Sequence, residues 1–191
     1  LFLLPIKIIR KFNFINNFYS SVNYISESSF SFNKKVLNLR GNICLDGYWQ
    51  SERYFKDVSN EIKEEFLLNK KISLRSQKLF SKIKKTNAVS CHVRRSDYIK
   101  NSVTNNIHGT CSIEWYQKCF DFILKRIKNP VFYFFSDDIE WVKSNFPNNA
   151  EFIFAETCEK GKDYEDLYLM SQCKHNIIAN SSFSWWSAWL N

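Results

Sequence analysis

From residue 87 onward, apolar and polar positions follow two regular periods. Residues 87–93 form a short apolar run of β-character. In residues 112–129, Ile113, Tyr116, Phe120, Ile123 and Ile127 recur at steps of three and four. That spacing predicts a helix with one apolar stripe, stopped at Asn129-Pro130. Residues 131–135 are continuously apolar, as in a strand buried on both faces. Ser136 is expected to cap a short helix reaching Asn145, with Asp137 and Asp138 in its first turn. Residues 151–155 read as a strand, 163–174 as a helix capped by Asp163, and 176–179 as a strand. Ser182 begins a last helix. Strand and helix alternate four times, which predicts an α/β fold with a parallel, doubly wound sheet of Rossmann type flanked by helices.

The first half is less regular. Residues 43–55 read as a short apolar strand, a turn at Gly47 and an aromatic-rich segment. Residues 57–85 are charged and helical in character, suited to connecting two lobes. The expected boundary therefore separates 1–85 from 86–191.

Composition narrows the class of protein. A chain of 191 residues is one large domain or parts of two. Hydrophobic content of 45% supports a core, and only 4 Gly and 3 Pro argue against a disordered, linker-rich chain. A net charge of +8 suits an anionic partner: nucleic acid, nucleotide or acidic membrane surface. None of the six cysteines forms a C-x-x-C pair or a zinc spacing, so no metal is expected. They read as buried, reduced thiols, with a disulfide-bearing lumenal protein as the alternative. Residues 1–9 are apolar but broken by Pro5 and Lys7, far short of the roughly 20 residues of a membrane span. Nor do they have the layout of a signal peptide. The chain begins with Leu, which reads as a fragment lacking upstream residues.

Candidate chemistry collects where strands give out, the edge at which open α/β sheets bind ligands. After the 87–93 strand come His92, Arg94, Arg95 and Asp97. Paired guanidinium groups grip phosphate through charge-assisted hydrogen bonds, so this stretch reads as the phosphate grip of a nucleotide-sugar site. Ser136, Asp137 and Asp138 follow the next strand and read as helix caps rather than metal ligands. Asn180, Ser181, Ser182, Phe183 and Ser184 lie where the last strand passes into its helix. Unpaired N–H groups there, with the serine hydroxyls, suit a phosphate or ribose. Asp166 can accept from the adjacent N–H and NH2 groups of guanine. Trp185, Trp186 and Trp189 read as core. Tyr48, Trp49 and Gln50 either stack on an acceptor sugar or pack.

Gly47 to Phe55, His92-Val93-Arg94-Arg95-Ser96-Asp97-Tyr98, Phe135 to Asp138, Asp166 to Ser171 and Asn180 to Trp186 together resemble the α-1,2-fucosyltransferases of glycosyltransferase family 11, in their bacterial form. The resemblance runs from about residue 43 to the end. It implies a GT-B-like fold, GDP-fucose as donor, no required metal, and inverting transfer to the 2-hydroxyl of a terminal galactose on an oligosaccharide or lipid-linked glycan. Residues 1–85 would then be a partial acceptor-side lobe with its linker, and 86–191 the donor lobe. By the same resemblance Arg94 and Arg95 hold the pyrophosphate, His92 lies near the nucleoside, Asp166 reads guanine, and Ser182 to Ser184 line the donor site. Asp97 would orient the arginines rather than react.

Two departures stand out: Ser96 replaces the family's usual Gly, and the family's Gly-rich N-terminal opening is absent. The latter reads as a donor lobe with part of an acceptor lobe. No general base is identified; Glu52, His92 and Asp97 have suitable chemistry. Two other readings stay open: a different nucleotide-sugar transferase, or a basic module binding single-stranded nucleic acid. Scattered basic residues and the acidic neighbours of Arg94 and Arg95 argue against the second. The bacterial style of the motifs and the missing signal place the protein in the cytoplasm, with peripheral association to the inner membrane as a further expectation.

Overall fold

A computed structural model describes residues 23–95, 109–146, 151–156, 158–159 and 161–191. The chain divides into two compact units, Leu1–Leu67 and Leu68–Asn191.

In the first unit β1 (Asn23–Ser26) pairs parallel with β2 (Ile43–Asp46), Asn23 opposite Ile43. Short 3-10 turns and helix α1 (Ser59–Glu65) complete its described part. Beyond β2, the carboxylate of Glu27 accepts the backbone N–H of Tyr48 at 2.8 Å and of Trp49 at 3.3 Å. The turn requires Gly47, because a Cβ there would collide with Glu27 Cβ. None of the described residues of this unit is buried.

The second unit holds the sheet. Helix α2 (Leu74–Lys84) precedes β3 (Asn87–Val93), and α3 (Ile113–Leu124) leads to β4 (Pro130–Ser136). Then come α4 (Ile139–Asn145), β5 (Phe152–Phe154), α5 (Asp163–Ser171), β6 (His175–Ile177) and α6 (Ser182–Trp189). All pairings are parallel, in the order β5-β4-β3-β6. The chain thus steps outward from β3 through β4 to β5, then returns to lay β6 on the other side of β3. That reversal is the switch point of a Rossmann-like sheet.

Strand β4 shows why this sheet is two-sided. Phe132 and Phe134 enter a core with Val89, Cys91, Val93, Tyr116, Phe120 and Phe146. Tyr133 and Phe135 enter the opposite core with Leu79, Ile83, Leu169 and Met170. All four β4 rings are essentially inaccessible, each contributing about 1.5–3 kcal/mol of burial. The continuous apolar run is therefore the strand that serves both faces.

Several expectations shift. Leu79 and Ile83 bury α2 in the second core, so this unit begins at residue 68 and not at 86. Ser136 ends β4, and Asp138 caps α4 by accepting from Trp141 N at 3.3 Å. Lys162 occupies the α5 cap position expected of Asp163. Of the described cysteines, all unpaired, only Cys91 and Cys173 are buried. Trp185, Trp186 and Trp189 are half-buried and pack on one another, with 5.1 Å between the first two rings. The buried positions of α6 are instead Ser184 and Ser187. No helix among the described residues is long and apolar enough to cross a membrane.

Candidate functional site

The ends of β3 and β4 are stitched together by one hydroxyl. Ser136 Oγ donates to the carbonyl of Val93 at 2.8 Å and accepts the N–H of Asp138 at 3.0 Å. This fixes the Asp137-Asp138 turn beside the two arginines that leave β3. Asp137 Oδ1 accepts the backbone N–H of Arg95 at 2.9 Å, and its Oδ2 lies 3.5 Å from Arg94 Nε. Arg95 Nε lies 3.8 Å from Asp138 Oδ2. The acidic pair expected only to cap a helix therefore also holds the arginines. Asp97, given that orienting task from the sequence, lies outside the described residues, as do Ser96 and Tyr98.

The arginines are not equivalent. Along β3 the period of two sends Cys91 and Val93 to the core beneath α3 and α4. Arg95 continues on that side: its guanidinium lies 3.6 Å from the centroid of the Trp141 ring, on α4. Its side chain is 19% exposed against 34% for Arg94. Arg94 thus keeps the larger exposed surface at the strand end, whereas Arg95 is wedged between an indole and a carboxylate. The two guanidinium groups thus stand in different surroundings at the end of one strand.

His92 lies on the other side. It is 4% exposed, and its ring centroid stands 5.6 Å from that of Phe183 in the first turn of α6. The backbone carbonyl of His92 accepts the Tyr116 hydroxyl at 2.9 Å. Among the described residues its buried Nδ1 has no hydrogen-bond partner. Burial lowers the imidazole from 6.5 to about 4; Asp137 opposes that shift and Arg94 assists it. A neutral histidine with an unused buried nitrogen is suited to a hydrogen bond with a ligand group.

At α6, Ser181 occupies the cap position but makes no side-chain capping bond, and Ser182 is exposed. The first-turn N–H groups therefore keep the anion-binding character of a helix start. Ser184 departs from expectation: it is fully buried and donates to the carbonyls of Ala179 at 3.3 Å and Ser181 at 3.2 Å. Its role is to fasten α6, so it drops out of the ligand-lining set. Asn180 and Phe183 stay at the β6–α6 junction.

Asp166 does not stand alone either. Arg75 of α2 reaches its Oδ1 at 3.2 and 3.3 Å, and the Cys158 thiol donates to the same oxygen at 3.0 Å. Burial raises the Asp166 carboxyl, while Cys158 and Arg75 pull it down. Neither Arg75 nor Cys158 was visible as a site residue in the sequence, since each approaches Asp166 from another element. Trp141 was equally hidden, although its place three residues after the Asp138 cap was a usable signal.

In unit one, Tyr48 is 66% exposed, whereas the Trp49 ring packs edge-on against Tyr54 at 5.8 Å. Trp49 thus packs, one of the two readings of that segment.

The model of the family described as Glycosyl transferase family 11 matches residues 5–191 of the chain. An alpha-1,2-colitosyltransferase of Escherichia coli is 40% identical over 167 residues, spanning 83% of this chain and 55% of its own length. An O-antigen biosynthesis glycosyltransferase of the same organism is 32% identical, over 88% of this chain and 58% of its own. Galactoside alpha-(1,2)-fucosyltransferase 1 of Rattus norvegicus is 29% identical, over 76% and 41% respectively. The chain spans about half the length of the curated relatives it matches. No solved structure matches it.

Proposed function

Since the chain belongs to glycosyltransferase family 11, we propose that it carries the donor-binding unit of an α-1,2-fucosyltransferase. The reaction is transfer of L-fucose from GDP-fucose to the 2-hydroxyl of a terminal galactose, with inversion and without a metal. The supporting observation is the meeting of His92 and Phe183, 5.6 Å between ring centroids. It sets the end of β3, with its arginines, against the first turn of α6 at the switch point of the sheet. A strand end that carries guanidinium groups, set against a helix N-terminus, suits a diphosphate.

The chemistry is a single displacement. The galactose hydroxyl attacks the anomeric carbon of fucose on the face opposite GDP, through an oxocarbenium-like transition state. The C–O bond to the diphosphate breaks as the new C–O bond forms, and the hydroxyl proton leaves to base or solvent. Negative charge grows on the departing phosphate oxygen, where Arg94 and the α6 N–H groups neutralise it. Arg95, pinned on Trp141, keeps the turn rigid. His92, neutral and buried, fits a hydrogen bond to the nucleoside rather than proton uptake from galactose. Asp166 takes the base. A GT-B arrangement, a lipid-linked acceptor and cytoplasmic placement at the inner membrane complete the proposal.

A second reading of the donor comes from the 40% identical relative, named as an alpha-1,2-colitosyltransferase. Colitose is fucose without its 3-hydroxyl, so both sugars suit the same diphosphate grip. Incubating the full-length protein with lactose and either GDP-fucose or GDP-colitose tests both. Transfer from GDP-fucose alone supports the first, transfer from GDP-colitose alone the second, and transfer from neither contradicts both.

A further inference from the structure

The start of α2 is clamped onto the first turn of α5. Glu165, 2% exposed, accepts the N–H of Ser73 at 3.0 Å and its hydroxyl at 2.6 Å. It also accepts the hydroxyl of Ser76. Ser73 in turn caps α2, accepting from Ser76 N at 3.3 Å. Between the two serines stands Arg75, and next to Glu165 stands Asp166. The clamp therefore fixes the approach of Arg75 to Asp166.

The contacts at Asp166 are one-sided. Both terminal nitrogens of Arg75 and the thiol of Cys158 converge on Oδ1. Arg75 Nη1 also donates to Cys158 Sγ at 2.9 Å, closing a three-membered ring of contacts. Among the described residues nothing donates to Oδ2. The side chain of Asp166 is 16% exposed and that of Arg75 21%, so this is a largely desolvated arrangement.

We infer that Arg75 and Cys158 are positioning residues for nucleobase recognition, holding Asp166 by one oxygen and leaving the other to receive an N–H of the base. This rests on the reading of Asp166 as the guanine-binding residue. A carboxylate with both oxygens free would pair the ring N–H and the exocyclic amine of guanine together. With Oδ1 occupied, the ring N–H takes Oδ2 and the amine contributes little. Hypoxanthine, which has the ring N–H and lacks the amine, is then nearly as good a ligand. Adenine presents a bare ring nitrogen at that position and is rejected, since two acceptors would face each other. The electrostatics agree in direction, because Cys158 and Arg75 oppose the effect of burial on Asp166. Removing Arg75 frees Oδ1 to take the exocyclic amine, so guanine should gain on hypoxanthine, which lacks that amine.

Calorimetric titration of the full-length protein with GDP, IDP and ADP tests this. The wild type should bind IDP within about threefold of GDP, and ADP at least tenfold more weakly. Arg75→Met should raise the IDP-to-GDP ratio of dissociation constants to about tenfold or more, because the amine of guanine gains Oδ1; Arg75→Lys, which keeps a cation beside Oδ1, should bring the ratio back towards the wild-type value. Cys158→Ala, a milder change outside the helices, should raise that ratio by about two- to threefold, and serves if Arg75→Met does not fold. A folded variant pair that keeps the wild-type ratio overturns the inference, as does strong rejection of IDP by the wild type. Equal affinity of the wild type for GDP and ADP removes the reading of Asp166 beneath it instead.

Discussion

The guanidinium of Arg95 lies 3.6 Å over the indole of Trp141, while its neighbour Arg94 pairs with Asp137 at 3.5 Å. Two adjacent arginines thus leave one strand for different environments. A cation on an indole face contributes about 0.5–2 kcal/mol. Trp141→Leu stays apolar but removes the π face, together with part of the ring's packing. It should lower the stability read by chemical denaturation by about 0.5–2 kcal/mol and reduce transfer less than tenfold. Arg94→Ala should reduce transfer about 100- to 1,000-fold, on the scale of a lost oxyanion-hole donor. Equal loss in both variants would return Arg95 to a direct grip on the diphosphate.

His92 gives the fold a defined acid sensitivity. Its folded value is about 4 against 6.5 in the open chain, chiefly through burial. As pH falls, the unfolded imidazole binds its proton first, so stability drops between pH 6.5 and about 4 and not above that window. The gap corresponds to about 3 kcal/mol. Denaturation of wild type and His92→Phe at several pH values checks this: the wild type should lose that much more than the variant over the window. Parallel curves would contradict it.

Glu165 makes stability fall with pH in the same direction, for a different reason: here the fold favours the charged form. Burial raises its carboxyl, but hydrogen bonds from Ser73 and Ser76 outweigh burial and hold it below 4.5. The stabilisation is therefore present above the ordinary carboxylate value and fades as pH falls below it. Glu165→Ala leaves the serines and the α2 start without a buried acceptor, and should cost about 2–4 kcal/mol in denaturant unfolding at neutral pH. A loss under 1 kcal/mol, by the same order-of-magnitude scale, would mean that the clamp is not holding α2 on α5.

The sheet could be read from the sequence because its signals are local. The run from Val131 to Phe135 is apolar at every position, and Asn129-Pro130 marks where the preceding helix must stop. The junctions were harder. Ser136 carries both a strand-end and a cap signal, and its bond to Val93, 43 residues earlier, decided for the strand. The boundary at 85 failed because α2 looks like a charged connector, while Leu79 and Ile83 form a buried edge that only the sheet completes. Site residues divide in the same way. His92 and Phe183 were legible as motif members, and the β3–α6 meeting followed from topology. Arg75 and Cys158 act across elements, so no spacing in the chain announced them, whereas Trp141 follows the Asp138 cap by three residues.

The most direct test is calorimetric titration of GDP into the wild-type protein and Arg94→Ala, with circular dichroism confirming that both are folded. The expected result is saturable binding by the wild type and affinity at least tenfold weaker in the variant, from loss of a charge-assisted contact. Equal affinity in the two folded proteins, or none in the wild type, would contradict a diphosphate grip at the end of β3.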